Sequence, residues 1–223
     1  MEGSIISLVE HLLRDVTCPP TDLDMVMRRC NIVNCELDHD LVVPGEIRQT
    51  SDGLKIYLTP GLSTGRERFT VAHEVGHAIF ESTGQRCPRR GKELERLCDK
   101  IATELLMPTG IFKKYAGPNP TLDRVIELCD LFQTSIAATL RRVPELYRVR
   151  TFEVRDGTTT SKISNIWLAG ASPTFHESIL RAMNGESGKE AIEFYTNTGY
   201  TRWNMEWRCL RQRKHALFML TPY

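Results

Sequence analysis

Apolar residues recur at helical spacing at the start of the chain. Ile5, Leu8, Val9, Leu12 and Leu13 share one face, so the pattern predicts an amphipathic helix over residues 4–16. Pro19-Pro20 breaks it, and Thr21 then fits an N-cap, with Asp22 and Asp24 in the first turn and Leu23, Val26 and Met27 behind them. The pattern becomes strand-like over 32–37, 46–50 and 54–58, with Ser51-Asp52-Gly53 as a hairpin turn between the last two and Pro60-Gly61 closing the sheet. Helical periodicity returns over 65–82, where Phe69, Ala72, Val75, Ala78 and Ile79 are the expected core positions. It returns again over 92–107, where Pro108 stops it. A short helix is expected over 111–116, and a pair of short helices over 121–132 and 135–143, joined by a tight turn.

The texture changes after Pro144, where a domain boundary is expected, giving domains over 1–145 and 146–223. The second segment holds all three tryptophans, Trp167, Trp203 and Trp207. Strands are expected over 148–155, 161–168 and 216–220, and a helix over 175–184. The fold class expected is therefore α+β: a small sheet with long helices, then a smaller α+β domain.

Composition narrows the function classes. The chain has 223 residues, is 41% hydrophobic and 26% charged, and carries a net charge of +1, so no overall field announces a nucleic-acid or membrane partner. The balance is uneven: residues 146–223 hold 11 basic against 7 acidic side chains, a net +4, leaving −3 for residues 1–145. No apolar run reaches the roughly 18 residues of a membrane span, and the acidic start, Met1-Glu2-Gly3-Ser4, lacks the pattern of a signal peptide. Seven scattered cysteines without C-x-x-C spacing fit reduced thiols, so a cytoplasmic location is expected.

The informative motif is His73-Glu74-Val75-Gly76-His77. On a helix, residues i and i+4 stand about 40° apart around the axis and about 6 Å along it. Both imidazoles therefore reach one point, as two ligands of a tetrahedral zinc do. Glu74 flanks that point and can take a proton from water. Gly76 leaves room for a close neighbour. A third ligand is sought in residues 92–107. Glu95 is preferred, because with Asp99 four residues later it resembles the gluzincin-type arrangement, in which a second helix supplies a Glu ligand and the Asp orients a metal-bound histidine through its other ring nitrogen. Glu93 and Glu104 compete; Glu93 is two residues from Glu95, so both cannot face one metal. Two imidazoles and a carboxylate favour zinc, with manganese as the alternative, and leave the open fourth position of a catalytic site.

Residues 66–80, RERFTVAHEVGHAIF, together with residues 102–108, ATELLMP, resemble the ImmA/IrrE family of metallopeptidases. Residues 131–142, LFQTSIAATLRR, resemble that family's helix-turn-helix-like segment, placed here at about 121–143. The family commonly has Asn where this chain has Asp99, which accepts the same hydrogen bond. The resemblance implies a zincin-like domain in which His73, His77 and Glu95 bind zinc and Glu74 is the general base for attack by metal-bound water. It also implies a cytoplasmic protease that cuts a helix-turn-helix transcriptional repressor and so derepresses stress-response or mobile-element genes. The C-terminal domain would then be sensory or regulatory. The alternatives are a non-catalytic sensor or partner-binding regulator on the same scaffold, and a defence or toxin-type protease with another target.

Other residues remain open. Tyr115, Arg66, His39 and His176 are candidates for stabilising an oxyanion. The strand at 54–58 either pairs with an extended substrate or stays internal to its hairpin. Cys98 and Cys87 are either packing thiols or thiolates able to cap the metal. The helices at 121–143 read as packing or protein docking rather than DNA binding, since Asp123, Glu127 and Asp130 oppose Arg124, Arg141 and Arg142. The basic run 208–215 reads as a solvated edge, with nucleic-acid or nucleotide binding by the C-terminal domain as the sharper alternative.

Overall fold

The computed structural model describes residues 2–82, 91–155, 158–159, 171–196, 199–210 and 215–223. Cys87, the expected strand at 161–168 with Trp167, and residues 211–214 of the basic run lie outside them. The chain divides into two compact units, Met1–Tyr115 with Leu128–Ser135, and Ala116–Glu127 with Ile136–Tyr223. No helix among the described residues is long and apolar enough to cross a membrane.

The first unit opens with helices α1 (Glu2–Leu12) and α2 (Leu23–Arg29). Helix α1 stops before the expected residue 16, because the Arg29 guanidinium takes the Leu12 carbonyl at 2.5 Å. The N-cap of α2 is Asp22 rather than Thr21: its carboxylate accepts from the Met25 N–H at 3.1 Å, whereas Thr21 is buried. Three strands follow, β1 (Ile32–Leu37), β2 (Gly45–Thr50) and β3 (Gly53–Leu58). Their order is β1-β3-β2, with β1 parallel and β2 antiparallel to β3. Strand β3 is therefore central and internal to its sheet, so its backbone is already paired on both sides. Strand β2 is an edge.

Helices α3 (Thr64–Ser82), α4 (Lys92–Leu106) and α5 (Thr109–Ala116) complete the series. Helix α3 buries Val71, Ala72, Val75, Ala78 and Ile79, with Phe69 half-buried. Helix α4 buries Cys98, Ile101, Ala102, Leu105 and Leu106. Each large apolar side chain so removed from water contributes about 1.5–3 kcal/mol. Two glycines set the spacing. A Cβ on Gly45 would lie 2.3 Å from the Thr70 methyl, and one on Gly76 would lie 3.0 Å from the Cys98 Cα. Strand β2 and helix α4 can therefore both approach α3 closely.

Helices α6 (Leu122–Phe132) and α7 (Ile136–Leu146) are the expected pair. Helix α7 runs through Pro144 instead of ending before it. A proline there removes the N–H that would bond to the Leu140 carbonyl, and the Thr151 hydroxyl donates to that carbonyl instead, at 2.6 Å.

The second unit carries an antiparallel sheet of order β5-β4-β8-β7-β6. Its strands are β4 (Arg150–Arg155), β5 (Thr158–Thr159), β6 (Gly188–Thr196), β7 (Gly199–Leu210) and β8 (His215–Pro222). Helix α8 (Pro173–Met183) joins Phe175 and Ala182 to a core of Phe152, Val154, Ile192, Phe194, Met205, Trp207, Phe218 and Leu220. Phe152 stacks on Phe218 at 4.5 Å. The long β6–β7 hairpin is not among the elements expected from the pattern. Its alternation, with Ile192, Phe194, Met205 and Trp207 facing inward, is legible only over part of each strand, because its outward positions include tyrosines.

Candidate metal centre

The i, i+4 spacing does what helix geometry requires. His73 and His77 stand one turn apart on α3, their Nε2 atoms 3.2 Å from one another. The buried Ala72, Val75 and Ile79 hold the remainder of the helix in the core. From α4, Glu95 brings one carboxylate oxygen to 3.1 Å from His73 Nε2 and the other to 3.7 Å from His77 Nε2. Asp99 Oδ1 lies 2.9 Å from His73 Nδ1. With the Nδ1–H donating to Asp99, Nε2 keeps its lone pair and faces the other two donors.

These separations suit a metal. Zinc bonds of about 2.0–2.1 Å to nitrogen and oxygen in a tetrahedron place neighbouring donor atoms about 3.3 Å apart, close to the 3.2 Å between the two Nε2 atoms and the 3.1 Å from His73 Nε2 to its nearer Glu95 oxygen. The imidazoles are mostly buried, at 16% and 21% side-chain exposure, while Glu95 is 55% exposed. The donors thus converge at a rim that solvent reaches. Burial, and next the charge of His73, lowers the pKa of His77, which favours the neutral ring that a metal needs.

Glu74 is buried, and its Oε2 accepts the Ile47 N–H of strand β2 at 3.1 Å. Burial raises its pKa; the charge of His73 and the Ile47 hydrogen bond oppose the shift. A carboxylate destabilised in this way is a stronger base than an exposed one. Ile47 contributes only a backbone group, so no side-chain motif could have singled it out.

The competing glutamates lie elsewhere. Glu104 accepts the Thr109 N–H at 2.6 Å and the Thr109 hydroxyl at 3.0 Å, thereby anchoring the start of α5. Glu93 is exposed in the first turn of α4. Cys98 is fully buried beneath Gly76, and its sulfur groups with donor atoms of His73 and His77, all within 4.8 Å of one another. Among the oxyanion candidates, Tyr115 packs edge-on against Phe132 at 6.3 Å, His176 bonds to the Ser172 carbonyl at 3.2 Å, and Arg66 and His39 are exposed.

A helix pair joining two histidines to an acidic rim over a small mixed sheet defines a metallopeptidase-type domain. Residues 35–143 match the family model of the IrrE N-terminal-like domain, peptidase M78, a match consistent with the ImmA/IrrE family. A Mycobacterium tuberculosis transcriptional regulator of known structure is similar in fold, with a TM-score of 0.59 at 14% identity, over 99% of this chain and 76% of that one. No curated protein matches the chain.

Proposed function

We propose that the chain is a zinc-dependent endopeptidase in which His73, His77 and Glu95 hold the metal and Asp99 positions His73. The observation that carries this reading is the approach of the two imidazole Nε2 atoms to 3.2 Å from one another, with the Glu95 carboxylate facing both, one oxygen 3.1 Å from His73 and the other 3.7 Å from His77. A metal bound there would supply Lewis acidity, polarising the scissile carbonyl and acidifying water. Glu74, held by the Ile47 N–H, takes the proton of the attacking water and returns it to the leaving amine. The substrate reaches this base by lying along the edge strand β2, not β3, whose two neighbours are in place. The substrate proposed is a helix-turn-helix transcriptional repressor, cut in the cytoplasm. Residues 1–145 then form the peptidase domain, including the helix-turn-helix-like segment, and residues 146–223 a regulatory one.

Elemental analysis tests the site. One zinc per wild-type chain, with weakened retention in Glu95→Ala, is the expected result. No stoichiometric metal after reconstitution would reject the site and the protease with it. One observation favours a second reading, a non-catalytic regulator. If the Cys98 sulfur joined the two histidines and Glu95, the fourth position would be closed, which is the structural pattern. A Cys98→Ala variant that keeps its zinc and cleaves a helix-turn-helix repressor as wild type does would dismiss that reading.

A further inference from the structure

The alternation of the five-stranded sheet separates its two faces. Ile192, Phe194, Met205 and Trp207 point toward α8. The intervening residues of β6 and β7 point the other way. On that second face Lys189, Tyr195, Tyr200, Arg202 and Asn204 are exposed. Tyr195 and Tyr200 are cross-strand partners with ring centroids 6.4 Å apart, 57% and 65% exposed. Beside them the Arg202 guanidinium lies 4.6 Å from the Tyr223 ring, itself 76% exposed. The same face continues into a cavity of about 750 Å³ lined by Arg148, Lys189, Asn119, Asn204, Thr121 and Thr221.

We infer that this strip binds single-stranded nucleic acid. Three exposed phenol rings are large apolar surfaces left in water at one end of a sheet, and stacking with unpaired bases is the chemistry that suits them. The charge agrees. The exposed charged side chains of the strip and the cavity rim are the cations Lys189, Arg202 and Arg148. Three carboxylates accompany them and each is engaged: Glu190, which lines the cavity and accepts the Ser178 hydroxyl at 2.8 Å, Glu206 and Glu193. Glu206 is buried, accepts the Leu122 N–H at 2.9 Å, and meets Lys189 at 3.0 Å. Glu193 is half-buried and accepts the Tyr195 hydroxyl at 3.0 Å. From Tyr200 to Asn204 the strip runs about 13 Å along β7, long enough for successive bases on the tyrosines while phosphates meet Arg202, Lys189 and Arg148. The amides and hydroxyls of the cavity can bond to a base edge. A duplex keeps its base faces stacked inside and cannot use the rings.

The test is fluorescence anisotropy of the full chain with labelled ten-nucleotide oligo-dT and oligo-rU, at low and high salt. Saturable binding that weakens with salt is expected. Tyr195→Ala/Tyr200→Ala should weaken it at least tenfold, and Arg202→Ala should weaken it and flatten the salt slope by about one unit. The replaced side chains are exposed, so unchanged melting is expected for both variants. No binding at low salt would overturn the inference. So would binding that survives in the double tyrosine variant, or a duplex of equal length that competes as well as the single strand.

Discussion

Two histidine–carboxylate pairs of nearly equal length occupy different regions of the molecule. His73 meets Asp99 at 2.9 Å in the first unit, and His215 meets Glu153 at 3.0 Å in the second. The first pair uses Nδ1 and leaves Nε2 facing His77 and Glu95, at a rim where Asp99 is 56% exposed. The second pair uses Nε2 itself and lies inside, with side-chain exposures of 9% and 8%; Arg155 reaches the same Glu153 oxygen at 2.8 Å. The distance is common to both and decides nothing. What separates a candidate metal centre from an interior brace is which ring nitrogen the carboxylate takes and what the other nitrogen faces.

The sharpest way to break this contrast is at the base beside the first pair. Glu74→Gln keeps the shape and the metal donors but removes the proton acceptor. Cleavage should fall by about 10²–10⁴-fold with zinc content unchanged, measured as turnover of a helix-turn-helix repressor substrate. A variant that still cleaves at the wild-type rate would strip Glu74 of its role.

Asp99→Ala comes next. Losing the carboxylate that orients His73 should weaken zinc affinity about 10- to 100-fold, as read by competition with a chelator. Equal affinities would make Asp99 a surface charge and erase the difference between the two pairs.

His215→Ala should do the opposite. Zinc content stays the same, while the fold loses about 1–3 kcal/mol because Glu153 forfeits a buried partner. For a chain of this size that is a drop of several degrees in Tm. Loss of metal in this variant would show that the interior pair is not merely a brace.

The smallest effect concerns thiols. Burial pushes both Cys30 and Cys35 up to about 11 from an ordinary 9.0, with Cys35 raised further by Glu67, Asp24 and Glu36. The folded state thus favours the protonated thiols. Their stabilising contribution is full below pH 9 and is lost as pH rises toward 11. At pH 8, alkylation followed by mass spectrometry should find the exposed Cys18 modified well before either of them. Equal rates would contradict the burial of Cys30 and Cys35.

Legibility from the sequence followed the range of the interactions involved. Strand β1 spans the residues expected, and α3 and α4 differ from expectation by one residue at an end. Their apolar periodicity and breakers are local. Errors gathered where a distant group intervened. Arg29 ends α1 from across the turn and Thr151 lets α7 pass through Pro144; the cap of α2 moves by only one residue, from Thr21 to Asp22, through a local bond to the Met25 N–H. The β6–β7 hairpin was missed because outward-facing aromatic residues blur a two-residue alternation.

The sequence by itself determined the chemistry on offer. Helix pitch makes His73 and His77 neighbours, and Glu74 cannot avoid flanking them. Tertiary structure decided which of three glutamates meets the histidines, because that depends on how closely α4 approaches α3 over Gly76. It also decided that β3 is enclosed while β2 is an edge, and that the backbone N–H of Ile47 holds Glu74. Those contacts join residues 22 to 27 positions apart and depend on packing distance, which a periodicity along the chain does not encode.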